Sequence, residues 1–234
     1  TYSIIQYPQK TQCLPFVAQH MRKAGYESQT FIYGGDLGFN SFNSLVTLAG
    51  FDNIITEDDF PVSAMGDKWG AHDEFTFERL LKCMDEQKQP FFDFFFTLSS
   101  HEPFTVPMEK FHDNPYLNSM YYTDKCLGEF FAEAKKKSWW DNTLFIMMAD
   151  HGHDGPNRVG NEHKMKYNIP LVMAGGALAV TDTVFTRIGS QIDLAATLLP
   201  QLGISPEEFT FSKNLFSPLA PEYAFYDFND GYGY

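Results

Sequence analysis

The chain is short of three things, and each shortage narrows what it does. Cysteine is scarce: Cys13, Cys83 and Cys126 lie far apart, with no CxxC or metal-ligand spacing. They read as small buried apolar residues. Basic charge is scarce: 17 Lys and Arg face 30 Asp and Glu, for a net charge of −13. Such a surface repels nucleic acid and anionic lipid, which argues against a nucleic-acid partner. An anionic substrate must then be met locally, by a metal or a few donors. Long apolar runs are missing as well. None approaches the roughly 20 residues that span a bilayer, and no signal peptide opens the chain at Thr1.

What is present is aromatic. Phe, Tyr and Trp make up 17% of 234 residues, 24 of them Phe, within a 44% hydrophobic composition. This is a globular chain with a bulky core, long enough for one large domain over 1–234. The pattern alternates from the start. An apolar helical face follows Leu14-Pro15, with Pro15 suited to a first turn and Gly25 to a stop. A strand at Gln29–Tyr33 leads into Gly34-Gly35-Asp36, and a helix from about Phe39 to Ala49 leads to a short strand at Phe51–Ile55. After an acidic loop, an amphipathic helix spans Asp73–Glu86, with Asp73 a natural cap or first-turn acid. The run Phe91–Leu98 is almost continuously apolar, which predicts a central strand covered on both faces. A long helix over Leu117–Lys137 ends in three Lys suited to its C-terminal dipole. Strands at Ile169–Ala174 and Glu222–Phe228 and a helix over Ile188–Leu202 complete the order. This alternation predicts an α/β fold, a mainly parallel central sheet flanked by helices.

Three strand-end loops carry polar chemistry: Gly34–Asp36, Ser99–His101 and Asp150–His153. In an open parallel sheet such loops are expected to converge on one pocket. The third stands out. The apolar run Leu144–Ala149 breaks into Asp150, His151, Gly152, His153, Asp154, Gly155 and Pro156, with His163 following after a polar loop. Gly152, Gly155 and Pro156 stop the strand. Asp150 and His151 offer a hard oxygen and an imidazole nitrogen, the donor pair of a divalent ion. His153 is a ligand or hydrogen-bonds behind one. Trp69, beside Gly70, lines a pocket or packs in the core; His20 and His112 read as structural.

At these residues the chain resembles the sulfatase-like, alkaline-phosphatase-type superfamily, and within it the lipoteichoic acid synthase family of bacterial membrane-anchored phosphotransferases. The stretches that carry the resemblance are LPFVAQHMRKAGY, FIYGGDLGFNSFN, WGAHDEFTFERLL, FTLSSHEPF, NTLFIMMADHG, NIPLVMAGG and IGSQIDLAATLLPQLGI, in order along nearly the whole chain. The resemblance implies that Asp150 and His151 are metal ligands for a divalent ion (Mn, Zn, Mg or Ca), and that His101 contacts the substrate phosphate. It implies that His163 serves a second ion or that phosphate. The segment from Asp36 to Asn43 is implied to match part of the substrate pocket, and Trp69, from its own reading as a pocket-lining residue, is counted with Asp36 and Asn43 as a candidate substrate-binding residue. This segment carries neither the Trp nor the Arg that hold phosphate in glycerol-phosphate polymerising members, so polymerisation is not carried over. The family's Thr or Ser nucleophile, a further acidic ligand and the membrane helices belong upstream of LPFVAQH. The expectation is therefore an N-terminally truncated catalytic domain, inactive alone, from a protein of the bacterial cell membrane with this domain extracytoplasmic. Its substrate would be a phospholipid headgroup or envelope glycan. A sulfatase or phosphodiesterase that uses water as acceptor, and a non-catalytic binding domain that keeps the fold, are the alternatives.

Overall fold

A computed structural model of the chain describes residues 4, 6–39, 42–153 and 159–234. Thr1, Asn40, Ser41, Asp154, Gly155 and Pro156 of the reading above lie outside the described residues. Two compact units divide the chain, Thr1–Lys137 and Ser138–Tyr234.

The first unit is an α/β layer built on three parallel strands: β1 (Ser28–Tyr33), β2 (Asn53–Ile55) and β3 (Phe91–Phe96), in the order β2-β1-β3. Both pairings are parallel, with Phe31 opposite Ile54 on one side and Phe94 on the other. Among the described residues its α-helices include α1 (Pro8–Thr11), α2 (Val17–Lys23), α3 (Phe42–Ala49), α4 (Asp73–Glu86) and α5 (Pro115–Ala134). Strand alternation sorts the phenylalanines onto two faces. On one, Phe31 meets Phe42 of α3 edge-on at 5.7 Å, Phe51 at 5.5 Å and Phe94 stacked at 5.4 Å. On the other, Phe95 packs on Phe77 of α4 at 4.7 Å, and Phe77 on Phe130 of α5 at 5.4 Å. The rings that are fully buried this way, Phe31, Phe77 and Phe130, each stabilise the layer by roughly 1.5–3 kcal/mol.

Two expectations shift. The central strand of this sheet is β1, whose Ile32 is fully buried; β3 is an edge strand of it, with Phe94 46% exposed. A continuous apolar run reports two apolar faces, and that property does not distinguish the centre of a sheet from its edge. The helix after Pro15 starts only at Val17, because Phe16 is extended and serves as its cap. Its end follows expectation: the Gly25 N–H donates to Arg22 O at 3.0 Å and the Tyr26 N–H to Met21 O at 3.1 Å, the paired bonds of a glycine-terminated helix.

The second unit holds an antiparallel pair, β4 (Phe145–Met148) with β5 (Leu171–Ala174), and a C-terminal hairpin, β6 (Tyr226–Phe228) with β7 (Gly231–Gly233). The helix expected over Ile188–Leu202 is a 3-10 turn at Gln191–Asp193, then α6 (Leu194–Leu198), then a second 3-10 turn at Leu199–Leu202. Pro200 has no N–H to donate back along the helix, so the last turn tightens.

Candidate substrate and metal loops

In the first unit, the chain leaves β1 through Gly34-Gly35-Asp36 and runs beside a second loop at Trp69–Ala71. Gly35 and Gly70 form an antiparallel bridge, and the Ala71 N–H donates to Gly34 O at 2.8 Å. Gly70 has φ +133°, and a Cβ there would run into Gly34 O. Only glycine lets the two backbones approach this closely.

Their contact sets Trp69 against the Ser99–His101 loop. The Trp69 indole lies edge-on to the His101 ring, centroids 4.7 Å apart, and its Nε1–H donates to Glu102 O. Phe39 meets the indole edge-on at 5.5 Å, and the Lys68 ammonium stands 4.5 Å over the ring. His101 Nδ1 lies 2.8 Å from the same Glu102 O. A carbonyl only accepts, so Nδ1 carries the proton, and Nε2 of the neutral ring is left with its lone pair. His101 itself is exposed.

Asp36 is exposed and turns back on its own loop, where Oδ1 accepts the Gly38 N–H at 2.6 Å. It sits in a negative neighbourhood. Burial, then Asp36, then Asp58 push the Glu57 carboxyl above its usual range, and burial with Glu57 and Asp36 does the same to the Tyr33 phenol. Asn43 lies in the first turn of α3, exposed, its N–H bound to Leu37 O at 2.9 Å. Unit 1 thus brings Trp69 and His101 into direct contact, with Asp36 and Asn43 on the loop and helix that follow β1.

Sequence reasoning missed what holds the His101 loop. Asp73 is wholly buried and does not cap its own helix. Its Oδ1 accepts the Leu98 N–H at 2.9 Å and the Ser99 N–H at 3.1 Å, and its Oδ2 accepts the Thr123 hydroxyl at 2.6 Å. In return the Asp73 N–H donates to Ser99 Oγ at 2.8 Å. A serine 26 residues away therefore satisfies the start of α4. The only signal in the sequence was Asp73 itself, which also fits an ordinary first-turn acid.

In the second unit, Asp150 and His151 follow β4. Both side chains are exposed, 54% and 70%, and Asp150 Oδ2 lies 3.4 Å from His151 Nε2. Two donors on one ion at about 2.1 Å and a tetrahedral angle stand about 3.4 Å apart, so the pair fits a single divalent ion. His151 Nδ1 is 2.9 Å from Gly152 O, which fixes its proton there and leaves Nε2 able to ligate. The Asp150 backbone is tied down by Gln191, whose Nε2 donates to Ala149 O at 2.8 Å and Asp150 O at 2.7 Å. Gly152 abuts Lys166, and a Cβ on it would run into the Lys166 carbonyl. This contact joins the Asp150 loop to the turn at Lys164–Tyr167, which His163 caps: its Nδ1 accepts the Met165 N–H at 3.2 Å. That bond leaves the His163 proton on Nε2, so in this arrangement the ring is a donor; ligation through Nε2 requires the cap to open. Among the described residues no group of three or more His, Cys, Asp or Glu is assembled to hold a metal ion.

The sulfatase family profile matches residues 1–204. The chain belongs to the sulfatase family. Relatives include lipoteichoic acid synthase 2 of Bacillus subtilis, 24% identical over 82% of this chain and 33% of its own length. Another is phosphoglycerol transferase I of Xanthomonas euvesicatoria, 23% identical over 91% of this chain and 32% of its own. The chain thus spans about a third of the length of these relatives. A solved alkaline phosphatase superfamily protein from Vibrio parahaemolyticus superposes with a TM-score of 0.78 at 29% identity, covering 95% of this chain and 56% of that one. The fold is that of the alkaline phosphatase superfamily. No helix among the described residues is long and apolar enough to cross a membrane.

Proposed function

We propose that this chain is part of the catalytic domain of a phosphoglycerol-type transferase that acts on phospholipid headgroups or envelope glycans at the outer face of a bacterial membrane. The observation that carries the reading is the family match over 1–204, joined to relatives that are named lipoteichoic acid synthases and phosphoglycerol transferases.

The side chains support distinct roles. Asp150 and His151 bind a divalent ion, with His163 as a further ligand once its cap opens or as an N–H donor to phosphate while it holds. The ion would supply Lewis acidity to a phosphoryl oxygen. His101 contacts the substrate phosphate, held in place by Trp69 and Glu102 O. Asp36 is itself anionic and suits the hydroxyls of a glycerol group better than its phosphate, as does the Asn43 amide. No residue of this chain is assigned as nucleophile, and the chain alone is expected to show no turnover.

The test uses the full-length protein in detergent with Mn and a fluorescent phosphatidylglycerol. Release of diacylglycerol is expected, and His101→Ala and Asp150→Ala should each lower it by about 10²-fold or more. Hydrolysis of an aryl sulfate in place of headgroup transfer would overturn the reading in favour of a sulfatase. Full activity in Asp150→Ala would remove that residue from the metal site.

A further inference from the structure

We infer that Asp73 is a positioning residue for catalysis: its buried carboxylate sets the loop that presents His101. The inference rests on the role proposed for His101. It stands on a continuous hydrogen-bonded path. Asp73 Oδ1 accepts the Leu98 N–H, and Leu98 O accepts the His101 N–H at 3.0 Å. Leu98 is thus the pivot of the turn, gripped on one side by the carboxylate and on the other by the residue it aims. Ser99 doubles the grip, since its N–H binds Asp73 Oδ1 and its hydroxyl accepts the Asp73 N–H. Thr123 of α5 completes the arrangement by donating to Oδ2.

The cost of this arrangement argues that it serves more than folding. A buried carboxylate must be almost fully hydrogen-bonded to be tolerated. Here three donors from two distant segments meet one side chain that is 0% exposed. Capping α4 needs only an oxygen such as Ser99 Oγ. Binding two consecutive amides past the end of β3 does something different: it fixes the direction in which the chain leaves the sheet. The His101 ring is exposed, so its placement depends on that direction as well as on its contact with Trp69. A displacement of about 1 Å at such a group costs on the order of 10²-fold in rate.

The experiment is a double-mutant cycle on the full-length protein, with diacylglycerol release read as kcat and KM. Asp73→Ala should lower kcat by about 10- to 100-fold, with KM changing less. In the His101→Ala background the same substitution should have almost no further effect, because the group it positions is gone. Asp73→Asn should stay within about threefold of wild type. Its Oδ1 still accepts both amides, and the Thr123 hydroxyl can turn to accept from the new amide. Backbone amide exchange at Leu98 and Ser99 in the present chain should quicken in Asp73→Ala and not in Asp73→Asn. If Asp73→Ala does not fold, Thr123→Val and Ser99→Ala replace it in the cycle with smaller factors of the same pattern. Losses that add in the double variant, or an Asn variant as poor as Ala, would overturn the inference. A wild-type protein with no transferase activity would instead overturn the functional reading, and the exchange measurement would still decide whether Asp73 holds the loop.

Discussion

Among the described residues each unit keeps one aspartate almost wholly buried, and each of the two serves a candidate site differently. In the first unit Asp73 grips the His101 loop directly, through the backbone amides of Leu98 and Ser99. In the second, Asp193 is 1% exposed and works one step removed. Its Oδ2 accepts the Ser190 N–H at 2.8 Å and the Lys213 ammonium, and its Oδ1 the Lys213 N–H at 3.0 Å. These bonds fix the turn at Gln191–Asp193, and that turn sends the Gln191 amide to the carbonyls of Ala149 and Asp150. The His101 side is therefore held by buried bonds to the loop itself, whereas the Asp150 side is tied through the exposed Gln191 side chain and the close approach of Gly152 to Lys166. The difference teaches where rigidity is placed. On the proposed roles, the group that contacts phosphate would be set before anything binds, and the pair that binds the ion would be left for the ion to order, since binding energy can pay for ordering only where order is still missing.

The strongest way to break this comparison is Asp193→Ala. It would leave the Lys213 ammonium, whose side chain is only 12% exposed, facing an emptied site. Removing one partner of a buried pair costs about 3–5 kcal/mol. Thermal unfolding followed by a probe in the second unit, such as Trp139 or Trp140 fluorescence, should fall by many degrees. An unchanged melt would mean that Asp193 does not organise its unit as Asp73 organises the first.

A middle-sized effect sharpens the account of the first unit. Burial pushes the Asp93 carboxyl from 3.8 up to about 6, although bonds from Gln87 and Thr30 pull it down. The folded chain thus holds a proton that the unfolded chain has already lost over the window from about pH 4 to 6. Stability from this group is complete below that window and is lost as pH rises through it. Asp93→Asn keeps the side chain neutral and should raise stability at pH 7.5 by about 1–3 kcal/mol, with no gain at pH 4. Equal melts at pH 7.5 would show that Asp93 bears no such burden.

The legible parts of the molecule were those with a local signature. The period-3.6 pattern of Asp73–Glu86 returned a helix with the same bounds, and Gly25 ended α2 as glycine ends helices. The order of strands and helices was enough for the α/β fold. The arrangement of Asp150 beside His151 was legible because the two are adjacent in sequence. What stayed hidden depends on distant partners. Nothing near Asp73 announces that it binds amides 25 and 26 residues away. Nothing in Phe91–Phe96 tells that β1 takes the centre of their sheet. The Trp69–His101 contact needs the Gly35–Gly70 bridge, which is a meeting of two loops. His163 offered spacing but not its tautomer, which the Met165 N–H decides.

The smallest effect on stability is expected from Gln191→Ala, and it bears most directly on the contrast between the two sites. Gln191 is exposed, and its amide makes two bonds to carbonyls that water can also reach. Net hydrogen bonds of this kind contribute about 0.5–1.5 kcal/mol, and water replaces part of that, so the melt should move little. Metal binding should move more. With the carbonyls released, Asp150 and His151 must be ordered by the ion itself, and calorimetry of this chain with Mn or Zn should show affinity lowered about tenfold. Asp150→Ala gives the reference for a lost ligand, with heats reduced to background. If Gln191→Ala binds the ion as tightly as wild type, the Asp150 loop is ordered by something other than the Gln191 tether, and the proposed difference in rigidity between the two loops fails on the metal side.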